Sequence, residues 1–237
     1  PYNYALVRVN ANTTALHLNF HNNYFLNGSE AFDNQSQQAD YFTLSENRCI
    51  NQRNHGFEIY YADFVTVRQN QIKTTHNTHF DGIFIYDADS AVVVEENFLP
   101  NLPYGSGIEL QYCDGAMASR HRVANNFVHN GVFTNNTTYG LYLFQCRYVD
   151  VFFNTINVKG GGTNNRGVFV NNTLGNRLLN NNVAVEMGHA LYVVGSDDVE
   201  ASDHNNFYSE DTYLAYFAGA DAEDLAAWRS ASSMDAN

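Results

Sequence analysis

Residues 140–156 read GLYLFQCRYVDVFFNTI, and three marks in this stretch recur along the chain. Gly140 leads a short segment in which apolar residues occupy alternate positions. Cys146 is a small residue six positions after that glycine. Asn154 then stands three residues after one apolar residue and two residues before another. Alternation with a period of two is typical of β-strands, so each unit predicts at least two short strands.

The glycine mark recurs in steps of 23 to 33 residues and the asparagine mark in steps of 23 to 29. The first column is Gly56, Gly82, Gly107, Gly140, Gly167 and Ala190. The second column is Asn23, Asn47, Asn70, Asn97, Asn126, Asn154, Asn181 and Asn205. The small residues are Ala62, Ala88, Cys113, Cys146, Thr173 and Ser196. Three columns that keep a common register predict a repeat architecture.

A unit of this length cannot bury its own apolar face, whereas stacked units share one core. We therefore predict an all-β, right-handed parallel β-helix (solenoid) of about eight coils. In that geometry the asparagine column forms a ladder, in which each amide donates to one neighbouring coil and accepts from the other. A β-sandwich, the competing architecture, predicts hairpin turns and irregular strand spacing.

The chain divides into β-helix coils over 1–212 and a C-terminal capping segment over 213–237. Within the cap we predict a short helix over 221–230 with Asp221 as N-cap and acidic residues in its first turn. Leu225 and Trp228 would share one face of this helix and close the stack. Residues 1–18 already have a strand pattern, so we expect the chain to be a piece of a longer protein.

Acidic residues outnumber basic ones by 25 to 12, which gives a net charge of −13. This balance argues against nucleic acid or an anionic membrane as a partner. No stretch of eighteen apolar residues exists, so we predict no membrane insertion. An acidic polysaccharide would be repelled unless Ca²⁺ or a local patch of arginine and histidine reversed the field. Three cysteines do not form a disulfide framework, and we interpret them as core residues.

The outward positions of the glycine-led strands combine carboxylates, amides and rings, a mixture that suits an extended sugar chain. Our catalytic candidates are Glu58, Asp81 and Glu109. Glu58 and Glu109 lie two coils apart, or about 9–10 Å, near the upper limit for the acid and base of an inverting hydrolase. Asp81 would complete a trio or bind Ca²⁺. The alternative is that all three are solvated surface acids.

The predicted substrate-binding residues lie on the same strands or just ahead of them. They are Tyr60, Phe84, Tyr86, Gln111, Tyr142, Phe144 and Arg166. The alternative for the rings is that they stack across coils and stabilise the sheet. A lyase would instead need a base and a cation. Tyr60, Tyr86, His79, Lys159 and Arg166 are the candidates for those roles.

Insertions are the other places where a solenoid carries function. The longest step runs from Gly107 to Gly140 and contains Arg120-His121-Arg122 and the polar run 135–138. The basic run would either recruit an anionic glycan or form a solvated loop. His55, His76 and His79 cluster in adjacent segments, but their spacing is not a metal-binding motif. No metal ligands and no cofactor are therefore assigned from the sequence, with Ca²⁺ as the candidate ion.

The Gly-apolar-x-apolar unit and the apolar-x-x-Asn-x-apolar unit resemble the repeats of the pectate-lyase-like right-handed β-helix superfamily. The C-terminal Ser202-Asp203-His204-Asn205, with Trp228 and the final Met234-Asp235-Ala236-Asn237, resembles the end of large secreted bacterial β-helix proteins that degrade polysaccharides. Motifs of polygalacturonase-type hydrolases and of alginate epimerases are missing. The resemblance thus implies a fold and a substrate class, and it assigns no residue a role.

On these grounds we expect a secreted protein that binds an extended glycan on one sheet face and acts as a polysaccharide lyase or glycoside hydrolase. The alternative is a non-catalytic glycan-binding or adhesive stalk domain of a larger cell-surface protein. Either function places the chain outside the cell or on a bacterial cell surface. We expect a monomer whose partner is a polysaccharide.

Overall fold

A computed structural model describes residues 4–11, 15–36, 39–131, 136–160 and 162–236. The terminal residues Pro1 and Asn237 and position 135 of the polar run lie outside the described residues. In chain order the strands are β1 (Val7–Val9), β2 (Ala15–His21), β3 (Tyr24–Leu26), β4 (Glu30–Asn34), β5 (Ala39–Ser45), β6 (Arg48–Ile50), β7 (His55–Tyr60), β8 (Val65–Arg68), β9 (Gln71–Lys73), β10 (Asp81–Tyr86), β11 (Val92–Glu95), β12 (Phe98–Leu102), β13 (Gly105–Gln111), β14 (His121–Ala124), β15 (Phe127–Asn130), β16 (Thr138–Phe144), β17 (Val149–Phe152), β18 (Thr155–Val158), β19 (Arg166–Asn171), β20 (Asn176–Leu179), β21 (Asn182–Val185), β22 (His189–Val193), β23 (Val199–Asp203), β24 (Asn206–Ser209), β25 (Ala215–Phe217) and β26 (Ala220–Ala222). The helix α1 spans Leu225–Ser232.

Three sheets run the length of the molecule. Sheet A has the order β1-β4-β7-β10-β13-β16-β19-β22-β25-β26, sheet B runs from β2 to β23, and sheet C runs from β3 to β24. Apart from β25 and β26, neighbours in a sheet are three strands apart along the chain, so each full coil contributes one strand to every sheet. The strand pairs are parallel, except that β25 and β26 are antiparallel. The predicted parallel solenoid of about eight coils is confirmed.

One core fills the space between the sheets. In β16, Leu141 and Leu143 are buried, whereas Tyr142 and Phe144 are half-buried on the outer surface. The buried apolar residues of all three sheets form one continuous cluster. Cys49, Cys113 and Cys146 are free and fully buried, as predicted for core residues. No described helix is long or apolar enough to cross a membrane.

The asparagine ladder occupies the turn between sheets B and C. Asn126 is typical: its Nδ2 donates to Asn154 Oδ1 at 3.0 Å and to Val94 O at 2.9 Å. Its Oδ1 accepts from both N and Nδ2 of Asn97, each at 3.0 Å. The buried amide is therefore satisfied on both sides. The residue before each ladder asparagine has a left-handed φ of 54–58°, even where that residue is Phe153.

Steric crowding explains the glycine column. A Cβ built on Gly107 would lie 2.6 Å from Gly140 O and 2.2 Å from Cγ1 of Val128. Even the smallest side chain would therefore separate two coils or displace the core.

The small-residue column is buried from Ala62 to Thr173, but Ser196 at its end is exposed. The constraint on size thus does not extend to the eighth coil.

The C-terminal helix differs from the prediction at its start. Helix α1 begins at Leu225, and its N-cap is Asp224, whose carboxylate accepts from Ala227 N at 2.8 Å. The prediction of Asp221 as the N-cap was wrong, because Asp221 lies in β26, which folds back on β25. The first turn consequently contains no acidic residue. Trp228 is fully buried and closes the core, as predicted.

Asp235 ends the ladder. Its Oδ1 accepts from Asn205 Nδ2 at 3.0 Å, so it takes the place of a further asparagine. Its Oδ2 accepts from Trp228 Nε1 at 2.9 Å and from the Ser202 hydroxyl. The residues that mark the C-terminal end in the sequence are therefore joined by one hydrogen-bond network.

Replacing Asn126 with alanine should destabilise the whole stack. The substitution leaves the backbone N–H and one side-chain N–H of Asn97 buried without an acceptor, at about 1–3 kcal/mol for each group, and removes the bond to Val94 O. We expect the free energy of unfolding to fall by about 3 kcal/mol or more, which lowers Tm by roughly 6–12 °C. Asn206→Ala is the control because its amide is exposed and makes only a 3.5 Å contact with Asn182. Equal Tm values for the two variants in thermal denaturation would contradict a stabilising ladder.

Candidate functional site

The outer face of sheet A carries three columns of side chains parallel to the solenoid axis. The leading column is Glu30, His55, Asp81, Ser106, Tyr139, Arg166 and His189. The middle column is Asp33, Glu58, Phe84, Glu109, Tyr142, Phe169, Tyr192 and Tyr216. The trailing column is Tyr60, Tyr86, Gln111, Phe144 and Asn171. All ten predicted site residues lie in these columns, so the structure brings them to one face.

The glycine column explains how the leading residues reach this face. Strict alternation from Glu58 would point His55 into the core, because the two residues are three positions apart. Instead His55 Nδ1 lies 3.5 Å from Glu58 Oε2 on the outer surface. Ser106 and Glu109 repeat this i, i+3 contact at 2.5 Å. The backbone therefore departs from simple alternation at the intervening glycine, where the coils are too close for a side chain.

His55 lies among carboxylates at the N-terminal part of the face. Its Nε2 is 3.3 Å from Asp81 Oδ2, and its Nδ1 points to Glu58. Burial lowers the pKa of His55, but the hydrogen bond to Asp81 and the charges of Glu58, Asp81 and Glu30 outweigh burial and raise it. The exposed His79 also approaches Asp81, with 3.7 Å between Nδ1 and Oδ2. The third histidine of the predicted cluster, His76, has no contact with Asp81 among the described interactions.

Ser106 links Asp81 to Glu109. Its backbone N–H donates to Asp81 Oδ1 at 2.7 Å, and its hydroxyl donates to Glu109 Oε2 at 2.5 Å. The amide of Gln111 donates to the other oxygen of Glu109. Burial and the charge of Asp81 raise the pKa of Glu109 to about 7, against the hydrogen bonds from Ser106 and Gln111. Glu109 therefore changes between a proton donor and a carboxylate near neutral pH.

Glu58 is also perturbed. Burial raises its pKa, against His55 and the hydrogen bond from Tyr60, and the charges of Asp33 and Glu30 add to the increase. The Tyr60 hydroxyl donates to Glu58 Oε1 at 3.0 Å, and burial beside Glu58 raises the pKa of Tyr60. Glu58 and Glu109 pair with the same residue, Phe84, from opposite sides, which confirms the predicted separation of two coils.

Four tyrosines flank this part of the face. Tyr60, Tyr61, Tyr86 and Tyr112 have ring centroids 5.0–6.0 Å apart in tilted or edge-on arrangements. Tyr61 and Tyr112 are the most exposed of the four, at 36% and 37%. Because the rings are not stacked flat on one another, parts of their faces are open to a ligand. We call these four residues the tyrosine cluster.

Rings farther along the middle column stack across coils. Tyr142 lies 4.9 Å from Phe169 at an interplanar angle of 10°, and Tyr192 lies 4.2 Å from Tyr216 at 5°. These rings fit the alternative of sheet-stabilising stacks, because their neighbours cover their faces. Arg166 packs over the Tyr192 ring at 4.2 Å, and its guanidinium donates to nearby carbonyls. A ligand would meet mainly ring edges and hydroxyl groups here.

Several basic candidates lie elsewhere. Arg120 is bound to Asp150 at 2.6 Å, and Arg122 to Glu95 at 2.5 Å, on the outer face of sheet B. His121 is fully buried, accepts from Val92 N, and burial lowers its pKa to about 4. The prediction of a solvated loop was therefore wrong, because His121 and Arg122 lie in β14 and the run makes structural contacts.

Lys159 is also away from the site, since it follows β18 of sheet C and pairs with Glu186 at 3.4 Å. Of the basic residues proposed for a lyase, only His79 and Arg166 remain at sheet A. His79 lies just ahead of β10 and Arg166 begins β19, so the coils of β13 and β16 separate them.

A shallow cavity of about 310 Å³ lies beside the trailing column, at the turns that follow sheet A. Asp87, Asp89, Asp114, Tyr112 and Arg147 line it. Burial and the charges of neighbouring aspartates raise the pKa of Asp89. The surroundings of the site are thus acidic on this side as well.

Sequence reasoning missed Glu30, His55 and Ser106 as site residues. Each directly precedes the glycine position of its coil or the alanine that replaces it, as Asp81 and Arg166 do. That position is the signal that could have found them. In the second coil Ala31 stands where later coils have glycine, so the column was not followed back to Glu30.

Comparisons of this chain with family models, curated proteins and solved structures give no match. The fold class therefore rests on the repeat, the ladder and the three parallel sheets. These features agree with a β-helix superfamily and assign no chemistry to the outer face of sheet A.

The pKa of Glu109 makes a prediction for stability. The folded protein holds this proton up to about pH 7, whereas an unfolded glutamic acid loses it near 4.5. The contribution of Glu109 to the free energy of unfolding is fully present below pH 4.5 and is lost as the pH rises to 7. Glu109→Gln removes that dependence, so the variant should gain up to about 3 kcal/mol relative to wild type between pH 4.5 and 8.

Urea denaturation at several pH values checks this prediction. Glu210→Gln, a change at an exposed acid outside sheet A, should run parallel to wild type. Parallel curves for Glu109→Gln and wild type would mean that Glu109 keeps an ordinary pKa.

Proposed function

We propose that this protein binds an extended, predominantly neutral polysaccharide along the outer face of sheet A and hydrolyses it. The observation that supports this proposal is the buried Glu109, whose pKa of about 7 is set by burial and by the neighbouring Asp81. Glycoside hydrolysis needs one carboxyl group that donates a proton and one that stays ionised. Because extended polysaccharides occur mainly outside the cell, we place the protein outside the cell or on a cell surface.

The proposed roles follow from the two environments. Glu109 donates its proton to the leaving glycosidic oxygen, since it is the acid with a pKa near neutrality. Asp81, held by Ser106 N–H and His55, is the carboxylate that activates water or stabilises the developing positive charge. Glu58 lies one coil beyond Asp81 and is bound to Tyr60, so we give it no direct role in this reaction.

Charge favours a neutral glycan over a uronate. Glu30, Asp33, Glu58, Asp81 and Glu109 share the N-terminal part of the face, and the chain carries a net charge of −13. A uronate would need compensating cations, and Lys159 is bound elsewhere. Elimination, the alternative chemistry, is therefore less well supported than hydrolysis.

A second candidate is a glycan-binding domain without catalysis. The stacked rings from Tyr142 to Tyr216 support this alternative, because they make half of the face a rigid aromatic surface. In this case the tyrosine cluster would bind the sugar, and the carboxylates would hydrogen-bond its hydroxyl groups.

Hydrolysis is tested by incubating the protein with neutral polysaccharides, such as glucans, mannans and xylans, and measuring new reducing ends. Glu109→Gln and Asp81→Asn should each lower the rate by about 10²–10⁴-fold. Wild-type activity should fall as the pH rises through 7, because Glu109 then loses its proton. Glu210→Gln should retain full activity. Unsaturated ends that absorb in the ultraviolet would instead establish elimination.

Binding is tested separately by electrophoresis through gels that contain the polysaccharide. Tyr86→Ala and Tyr112→Asn should each weaken retardation about tenfold, equivalent to about 1.4 kcal/mol. Asparagine suits position 112 because Tyr112 has a left-handed φ of 53°. Tyr208→Ala, at a ring that is 55% exposed on sheet C, is the matched control. Retardation that all three variants retain would place the sugar elsewhere.

A further inference from the structure

Glu30, His55 and Glu58 converge at the N-terminal part of the sheet A face. One donor atom from each of these side chains lies within 4.8 Å of the other two. The residues come from adjacent strands, since Glu30 pairs with His55 and Asp33 with Glu58 in the register of β4 and β7. The three groups thus belong to the rigid sheet rather than to a loop.

The other polar atom of each group is already bonded. Glu30 Oε1 accepts from the Ser29 hydroxyl at 2.6 Å and from Asn54 Nδ2 at 3.2 Å. Glu58 Oε1 accepts from Tyr60 at 3.0 Å. His55 Nε2 faces Asp81 at 3.3 Å. These contacts fix the orientation of each side chain and leave one donor atom of each outside these hydrogen bonds. Of these remaining atoms, His55 Nδ1 and Glu58 Oε2 lie 3.5 Å apart.

Two of these remaining atoms have no hydrogen-bond partner. Glu30 is only 5% exposed, yet its Oε2 is buried without a donor, and the same is true of His55 Nδ1. A buried carboxylate oxygen without a partner is costly in free energy, and so is a buried unpaired ring nitrogen. A cation held between them would satisfy both atoms.

We propose that Glu30, His55 and Glu58 bind a divalent transition-metal ion such as Zn²⁺. Asp81 acts as a positioning residue, because it holds His55 Nε2–H and leaves Nδ1 to ligate the metal. A carboxylate behind a ligating histidine is a common arrangement at metal sites. Asp81 is itself held by Ser106 N–H at 2.7 Å.

The donor set decides the class of metal. One imidazole nitrogen with two carboxylate oxygens suits Zn²⁺, Mn²⁺ or Co²⁺, whereas Ca²⁺ takes six to eight oxygen ligands. Two carboxylates and a neutral imidazole also balance the charge of a divalent ion. Zn–N and Zn–O bonds of about 2.0–2.2 Å allow donor atoms about 4.4 Å apart at most, so small side-chain rotations complete the site. This ion differs from the Ca²⁺ considered from the sequence.

The test uses the whole chain after treatment with a chelator. Zn²⁺ binding is measured at pH 7.5 by isothermal titration and by competition with a chromogenic chelator. We expect one ion per chain with Kd below about 1 µM, and a rise in Tm with added Zn²⁺. Glu30→Gln, His55→Gln and Glu58→Gln should each weaken binding at least 100-fold. Asp81→Asn should weaken it about 10–100-fold.

His79→Gln is the matched control, because this exposed histidine contacts Asp81 but lies outside the proposed ligands. It should leave Kd unchanged. A visible spectrum of bound Co²⁺ that is lost in His55→Gln provides a readout independent of stability, and circular dichroism checks that each variant folds.

Three outcomes would overturn the proposal. One is Zn²⁺ binding weaker than about 1 mM. Another is affinity that depends on His79 but not on Glu30, which would indicate a surface histidine site. The third is Ca²⁺ binding as tightly as Zn²⁺, which would exclude this class of metal.

If Zn²⁺ does not bind, a nuclear magnetic resonance titration that finds both nitrogens of His55 protonated at pH 7 would identify an imidazolium between Asp81 and Glu58. The site does not depend on glycan hydrolysis, so either proposal can fail alone.

Discussion

The stacking of coils in register is the constraint on which the rest of this structure depends. Parallel strands lie about 4.8 Å apart, so each residue lies directly over the residue at the same position of the next coil. The ladder uses this spacing because an asparagine amide both donates and accepts, and Asn126 therefore satisfies Asn97 and Asn154 together. The same spacing requires Gly107, where a methyl group would meet the next backbone. A substitution in either column affects neighbouring coils as well as its own.

The sequence predicted the coils because their constraints are local and repeated. The asparagine and glycine columns depend on residue type alone, and both are confirmed. Asp221 was assigned as a helix cap because its sequence context suits one, but its pairing in β26 is a tertiary contact that no local pattern contains. The leading column was only partly found for a related reason. Strict alternation points His55 inward, and only the backbone geometry at the following glycine places it beside Glu58.

In-register stacking also makes the carboxylate cluster unfavourable. Like charges one coil apart repel, and neither Glu58 nor Glu109 can move away without breaking the sheet. The structure offsets this repulsion in several ways. Arg8 pairs with Asp33 at 2.7 Å, His55 lies between Asp81 and Glu58, and burial favours the protonated form of Glu109. Each solution leaves a group in an unusual electrostatic state, which is how catalytic and metal-binding groups arise on a rigid scaffold.

The glycan and metal proposals concern neighbouring parts of one electrostatic system. Neutralising Glu30 and Glu58 with a divalent ion would reduce the negative field at Asp81 and at Glu109 one coil further. A weaker field favours ionisation, so metal binding should lower the pKa of Glu109. The alkaline limb of any hydrolytic activity, which Glu109 sets, would then shift to lower pH with metal content, although the metal would touch neither Asp81 nor Glu109. Such coupling follows from the solenoid itself, because the register that aligns the ladder also fixes the distances between these charges.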